Sequence, residues 1–262
     1  YKTINSCLNK NYKNYEIILL FSNISNIEIL KKKFHKKIRF KKIFKKKNPV
    51  QDQLNKISEG IKIAKGKYIM RLDADDFLFE YSLETLSIEL DKDPEIGMVF
   101  GDYYTIDEHE NIIEHFQRHD FNKDVSLFDQ PAHGACTMFR IECLRQLGGY
   151  DETIRRQDGY ELWLRFIEKY EISNISEPIF YYRQHGENLT SKEEALLDTR
   201  TEILHNHAKK TRKSQPVGFA ILPVRGTTLD NRSLPFAKVG NKTLIDSTIN
   251  FILNFSPVDR II

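Results

Sequence analysis

The sequence predicts an α/β fold with a mostly parallel sheet covered by helices on both faces. Three observations carry that expectation. Short apolar runs alternate with helical stretches along the chain. The helical stretches are stopped by cap and breaker residues such as Gly66, Pro94 and Gly148-Gly149. One apolar run, KYIMRLD, passes straight into carboxylates, and open α/β sheets bind their ligands at the carboxyl ends of strands.

Taken in order, the opening segment INSCLNKNYKNYEIILLF reads as a helix tail, a turn and a buried strand over residues 16–21. Residues 51–65 follow a helical period, with Leu54, Ile57, Ile61 and Ala64 on one face and Gly66 as the expected C-cap. After KYIMRLD comes a helix over roughly 81–90, stopped by Asp91-Lys92-Asp93-Pro94. GMVFGDY is the next strand, and the turn Asp107-Glu108-His109-Glu110-Asn111 joins it to a hairpin partner. A helix over about 141–147 ends at Gly148-Gly149, and another starts near Asp158 and carries Leu162, Phe166, Ile167 and Tyr170. The strand PIFYYR and a polar helix over about 191–209 follow. KKTRKSQP then reads as a linker, after which the pattern restarts with a strand FAILPV, a polar loop, a helix from about Thr243 and a strand opening at residue 260. The expected division is 1–208, a linker 209–216, and 217–262.

Composition narrows the class. Of 262 residues, 40% are hydrophobic and 29% charged, the balance of an ordinary globular protein. The longest apolar runs fall well short of a membrane-spanning helix. Cys7, Cys136 and Cys143 have neither metal-ligand nor disulfide spacing, which fits a reducing cytoplasm. The net charge of +3 hides a run from Lys31 to Lys47 with ten lysines, one arginine and no acid. Ile38, Phe40 and Ile43 interrupt it with core-like residues, so it reads as a solvated helix followed by an edge strand whose lysines discourage aggregation. Attraction to an anionic membrane surface is the functional alternative. The expected location is cytoplasmic with peripheral contact at the inner face of the membrane through this run, and nucleic acid is not an expected partner.

The most informative residues are Asp73, Asp75 and Asp76 in RLDADDF. In extended backbone Asp73 and Asp75 share a face, roughly 7 Å apart. One carboxylate there can accept hydrogen bonds from a ribose while the other ligates a hard divalent cation on a diphosphate. The cluster could instead be a solvated turn, with Asp75 or Asp76 capping the helix near residue 80.

The segments INSCLNKNYKNYEIILL, SEGIKIAKGKYIMRLDADDF, GACTMFRIECLRQLGGYDE, QDGYELWLRF and EPIFYYRQHGENLT resemble, in order and spacing, the family-two inverting glycosyltransferases of GT-A fold. The resemblance covers about 190 residues. It implies that Asp73 contacts the nucleoside of a nucleotide-diphosphate-sugar donor, that Asp75 holds Mn²⁺ or Mg²⁺ on the diphosphate, and that Asp76 orients its neighbours or the sugar. It implies Asp158 as the general base, with an N-cap role also open to it and Glu161 as the second candidate. His133, Gly134 and Arg140 flank the strand that shapes the acceptor side in such enzymes, and Trp163 reads as core. Arg183 and His185 match an element near the diphosphate. Two departures stand out. The family's first strand and its base-gripping loop precede Tyr1, and the second strand ends in Phe21-Ser22-Asn23 where acids are usual. The chain is therefore expected to be a piece of a longer protein that binds donor weakly.

Residues 217–262 resemble the start of CMP-sugar cytidylyltransferases, with Arg225, Gly226, Arg232 and Lys242 at places comparable to a triphosphate-wrapping loop. Thr227-Thr228 and Asn241 depart from that pattern. The resemblance implies CTP as a partner of this part in the whole protein. The leading function is metal-dependent transfer of a sugar, with inversion, to a glycan or other surface-polysaccharide acceptor. The alternatives are a sugar-activating nucleotidyltransferase with an accessory front domain, and a non-catalytic glycan- or membrane-associated module.

Overall fold

The computed structural model describes residues 1–118, 134–154 and 158–184 continuously, and beyond them a few helical positions and six two-residue strands. The chain forms two compact units, Tyr1–Arg200 and Thr201–Ile262.

The first unit begins with α1 (Lys2–Leu8), then β1 (Ile17–Phe21), α2 (Ile27–Phe34) and β2 (Ile38–Lys42). The apolar run IILLF pairs in parallel with β2 as a two-stranded sheet of its own, and α2 buries Phe34 while its lysines stay in water. The lysine-rich run is thus a solvated helix followed by an edge strand, as its apolar interruptions indicated. Next comes α3 (Pro49–Ile63). Asn48 caps it by accepting from the N–H of Val50 (2.9 Å) and of Gln51 (3.2 Å), and Pro49 starts it with a preset φ. Its apolar stripe buries Val50, Leu54 and Ile61. The helix ends at Ile63 with Ala64 extended, so Gly66 is not its C-cap but belongs to the loop before the next strand.

That strand is β3 (Tyr68–Met70), followed by β4 (Phe77–Leu78), α4 (Ser82–Lys92), β5 (Ile96–Ile106) and β6 (Ile112–Phe116). Asp107 closes the β5–β6 hairpin by accepting from the N–H of Asn111 at 2.8 Å. Then come β7 (Met138–Arg140), α5 (Ile141–Gln146), α6 (Asp158–Ile167) and β8 (Glu171–Arg183). Gly148 and Gly149, with φ of 81° and 74°, end α5 in the left-handed region where a Cβ would be strained.

The main sheet runs β3-β7-β5-β8-β4, with β6 beside β5. The α/β class is the expected one, and a mixed sheet with helices packed on it is what a GT-A fold calls for. The balance of strand directions departs from the expectation. Parallel pairing joins β5 to β8 and β1 to β2, whereas β3–β7, β5–β7, β5–β6 and β4–β8 are antiparallel. β5 alternates its side chains between two cores. Met98 and Phe100 pack with Leu54, Leu144, Leu162, Trp163 and Phe166 on one face, and Val99 and Tyr103 with Leu86, Leu90, Ile179 and Phe180 on the other. Trp163 meets Phe100 edge-on at 6.3 Å, a core residue as expected. Among the described residues no helix is long and apolar enough to cross a membrane.

In the second unit, Phe219–Ala220 pairs in parallel with Arg260–Ile261, and two short hairpins pair Thr228–Leu229 with Arg232–Ser233 and Lys238–Val239 with Lys242–Thr243. Arg232 and Lys242 lie on those hairpin strands. Arg225 and Gly226, the helix expected from Thr243, and nearly all of the polar helix expected over 191–209 lie outside the described residues.

Candidate active site

A cleft of about 1160 Å³ opens between β1 and β3. Its floor is β3 and the loop beyond, from Tyr68 to Asp75, and its walls include Gln53 and Ile57 of α3, Gly134, Tyr150 and Asp158. The carboxylate cluster therefore lies at the carboxyl end of β3, where the sheet's ligand side was expected.

The centre of the cleft is a residue that the motif reading passed over. Arg71 donates from Nε and Nη2 to the two oxygens of Asp73, both at 2.8 Å, and from Nη1 to Asp158 Oδ2 at 2.9 Å. One guanidinium thus joins two carboxylates that lie 87 residues apart in the chain. Burial alone would weaken its hold on the proton, but Asp73 and Asp158 outweigh that and keep its pKa above the ordinary value. Gln53 adds a bond from Nε2 to Asp73 Oδ1 at 3.3 Å. Gly134 passes directly over this group: a Cβ there would stand 2.9 Å from Arg71 Nη1 and 3.5 Å from Asp158 Oδ2. Only a residue without a side chain lets the backbone approach so closely. Tyr150, buried behind the guanidinium, has its pKa pushed up by that burial.

Asp158 is the first residue of α6, where the helix dipole favours a negative charge. Glu161, the other candidate base, is buried and its two oxygens accept from Nε and Nη2 of Arg165, both at 2.6 Å. Asp75 is half-buried, and its backbone carbonyl accepts from Arg183 Nε at 3.3 Å. Asp76 points inward: it is 1% exposed, its Oδ1 accepts from the Arg183 N–H at 3.1 Å, and its Oδ2 has no hydrogen-bond partner among the described residues. Burial pushes its pKa up to about 8, against the lowering bond from Arg183 and with the help of neighbouring Asp75 and Asp73. A neutral carboxyl in that position costs far less to bury than a carboxylate.

Arg183 devotes its guanidinium to the carbonyls of Asp75, Asp107 and Glu108 and to Glu110. Its side chain thereby fastens the backbone at Asp75, and its N–H holds Asp76. Arg140 is likewise committed, to the carbonyls of Leu90, Asp93 and Ile96. His133 and His185 lie outside the described residues. At the end of β1, where the sequence reads Phe21-Ser22-Asn23, a carboxylate does stand, supplied by α3. Asp52 accepts from Ser22 Oγ at 3.0 Å, the Lys46 N–H at 2.7 Å and Lys56 Nζ at 2.5 Å. Burial would raise its pKa, and those three bonds more than offset that and lower it.

Among the described residues no three His, Cys, Asp or Glu side chains gather as a metal cage. Asp75, half-buried on the loop beyond β3, is the carboxylate that could hold a hard cation there. Sequence could have found Arg71, since residues i and i+2 of a strand share a face. No local signal links it to Asp158, or Asp52 to Ser22.

The chain resembles known proteins in sequence and in fold. Residues 1–148 match the model of glycosyl transferase family 2. An uncharacterized glycosyltransferase of Methanocaldococcus jannaschii is 29% identical over 190 residues, 70% of this chain and 64% of that protein. A chondroitin synthase of Escherichia coli is 24% identical over 217 residues, 81% of this chain and 30% of that one. The chain thus spans less than two thirds of the length of either. Among solved structures, S. aureus TarS 1–349 in complex with UDP-GlcNAc superposes with a TM-score of 0.59 at 15% identity, over 79% of this chain and 61% of that one. A mannosyltransferase from Pyrobaculum calidifontis in complex with GDP-Man and Mn²⁺ gives 0.52 at 12% identity, over 81% and 60%. At such identities the superpositions speak for the fold alone.

Proposed function

The chain belongs to glycosyl transferase family 2, and from that premise and the cleft's geometry we propose that it transfers a sugar, with inversion, from a nucleotide-diphosphate donor to a glycan acceptor. The observation that carries the reading is the Asp73–Arg71–Asp158 group, which joins the donor-side carboxylate to the candidate base across one cleft. Asp73 accepts from the donor's ribose hydroxyls. Asp158 takes the proton of the acceptor hydroxyl as its oxygen attacks the anomeric carbon. The bond from that carbon to the diphosphate oxygen breaks on the opposite face, and its electron pair leaves with the nucleotide diphosphate. Arg71 holds Oδ2 of Asp158, so the other oxygen of that carboxylate is the one for the proton. Gly134 leaves room above the pair for the acceptor. A bound Mn²⁺ or Mg²⁺ would neutralise charge on the leaving diphosphate, and Asp75 is the residue that would hold it. The relatives' complexes with UDP-GlcNAc and with GDP-Man and Mn²⁺ support a donor of this class.

The test is calorimetric titration of UDP, GDP and CDP, each with and without Mn²⁺, into the chain and into Asp75→Ala. The expected result is metal-dependent binding of one nucleotide that the substitution abolishes. Binding of none of the three, or binding indifferent to both metal and substitution, overturns the donor-site assignment.

Residues 217–262, after the linker 209–216, form on this reading the start of a sugar-activating nucleotidyltransferase-like unit. The parallel pairing of Phe219–Ala220 with Arg260–Ile261 supports an α/β beginning there. In the whole protein, Arg225, Gly226, Arg232 and Lys242 would face CTP. Protection of Arg225, Arg232 and Lys242 from arginine- and lysine-directed reagents by CTP is the expected outcome, and its absence removes the assignment.

A further inference from the structure

We propose that the loop following β2, with the lysines that flank it, is a docking surface for an anionic lipid bilayer, and that Phe44 is the side chain that enters the headgroup layer. Phe44 is 93% exposed, more than any other large apolar side chain among the described residues. Its exposure is built in, because the backbone on both sides is fastened. Ile43 before it is buried and donates its N–H to Phe21 O at 2.8 Å. Lys46 after it donates its N–H to Asp52 Oδ1 at 2.7 Å, and Asn48 caps α3. A ring held out in water by a fastened loop loses hydrophobic stabilisation that a bilayer interface would restore.

The charges around the ring fit the same partner. Lys41, Lys42, Lys45, Lys46 and Lys47 are all exposed, and none of them forms a salt bridge with a described residue. Asp52, which accepts from the Lys46 N–H, is buried and engaged by Ser22 and Lys56, and Glu59, which faces Lys41, is paired with Lys62, so no acid on the loop itself opposes an anionic surface. Each lysine close to such a surface adds to the attraction, within a Debye length. Single-stranded nucleic acid would call for a row of aromatic platforms along a basic groove. Here Phe34 is buried and Phe40 half-buried, which leaves Phe44 alone among lysines, the pattern of an interfacial anchor. Asp52, which fastens the loop, and Gln53, which reaches Asp73, are consecutive in α3. This inference stands on the loop's own geometry and does not depend on the transferase reading.

Sedimentation with vesicles tests it, using phosphatidylcholine alone and phosphatidylcholine mixed with phosphatidylglycerol, at low and high salt. The chain is expected to bind only the anionic vesicles and to be released by salt. Phe44→Ser should weaken that binding about tenfold. The combined change Lys45→Gln, Lys46→Gln and Lys47→Gln should weaken it about a hundredfold. Unchanged thermal melts of both variants, whose altered side chains are solvent-exposed, exclude misfolding as the cause. Absence of binding at low salt overturns the proposal, as does binding that ignores Phe44→Ser. Binding of a single-stranded oligonucleotide with the same dependence on Phe44, and none of vesicles, assigns the face to nucleic acid instead.

Discussion

Two arginines lie deep in the first unit, and they are held in opposite ways. Arg71 is forked between the carboxylates of Asp73 and Asp158, with all three bonds at 2.8–2.9 Å. Arg118 is 5% exposed and lies over the rings of Phe100, Tyr103 and Phe180 at 5.2–5.6 Å. Its long bonds go to Thr137 Oγ1 (3.5 Å) and Ala135 O (3.3 Å), and no carboxylate pairs with its guanidinium among the described residues. Burial accordingly lowers the pKa of Arg118, whereas the two acids raise that of Arg71. The difference separates a cation that organises a site from one that fills a core. The first compensates two negative charges brought together from distant segments. The second lends its flat apolar faces and a favourable quadrupole contact to a cluster of aromatic rings.

The comparison can be broken most forcefully at its catalytic end. Asp158→Asn keeps the shape of the group but cannot take a proton, so turnover should fall about a thousandfold, roughly 4 kcal/mol, with nucleotide affinity little changed. Steady-state nucleotide release against calorimetric binding checks this, and equal losses in both would make Asp158 a binding residue. Arg71→Gln leaves Asp73 and Asp158 without their cation and should cost about 3 kcal/mol of stability, read by urea denaturation. Arg71→Lys should recover only part of it, because a single ammonium cannot reproduce the fork.

Lys10, a third buried cation, sharpens the contrast through pH. It is 4% exposed, donates to the carbonyl of Phe79, and burial lowers its pKa from 10.5 to about 8, against weaker raising effects of Cys7, Cys136 and Glu80. The unfolded chain then binds more protons than the folded one between those values, so stability rises as pH climbs from about 8 towards 10.5. The gain should be about 2 kcal/mol, measured as the difference between the parent and Lys10→Met, in which that slope disappears. Arg118→Leu should have the smallest effect, within about 1 kcal/mol, since loss of a buried cation that makes no salt bridge with a described residue relieves its desolvation and offsets the lost ring contacts and the lost attraction to Asp102. Nucleotide binding should be unchanged. A loss as large as that of Arg71→Gln would place both arginines in one class.

The elements that sequence made legible are those written in local pattern. The strand IILLF, the stripe of Leu54 and Ile61, the stop at Gly148-Gly149 and the run of KYIMRLD into carboxylates each follow from neighbouring residues and elementary sterics. The resemblance of spaced motifs to family 2 extended that reading to Asp73, Asp75 and Asp158. It did not extend to Arg71, although the i, i+2 spacing to Asp73 was available. The local pattern also set Gly66 as a helix cap, because a glycine after an apolar stripe usually is one, whereas the helix ends at Ile63.

What the sequence alone determined is the order and kind of elements, the carboxylates at the end of β3, and an uncompensated basic stretch from Lys31 to Lys47. Each of these is a property of residues within a few positions of one another. Only the tertiary structure decided that β7 enters the sheet antiparallel between β3 and β5. It alone decided that Arg71 meets Asp158, that Asp52 stands in for an acid at the end of β1, and that Phe44 is held out into water. The reason is that these outcomes are pairings across long stretches of chain. Hydrogen-bond registry, desolvation and charge compensation select them from many that the local pattern allows equally.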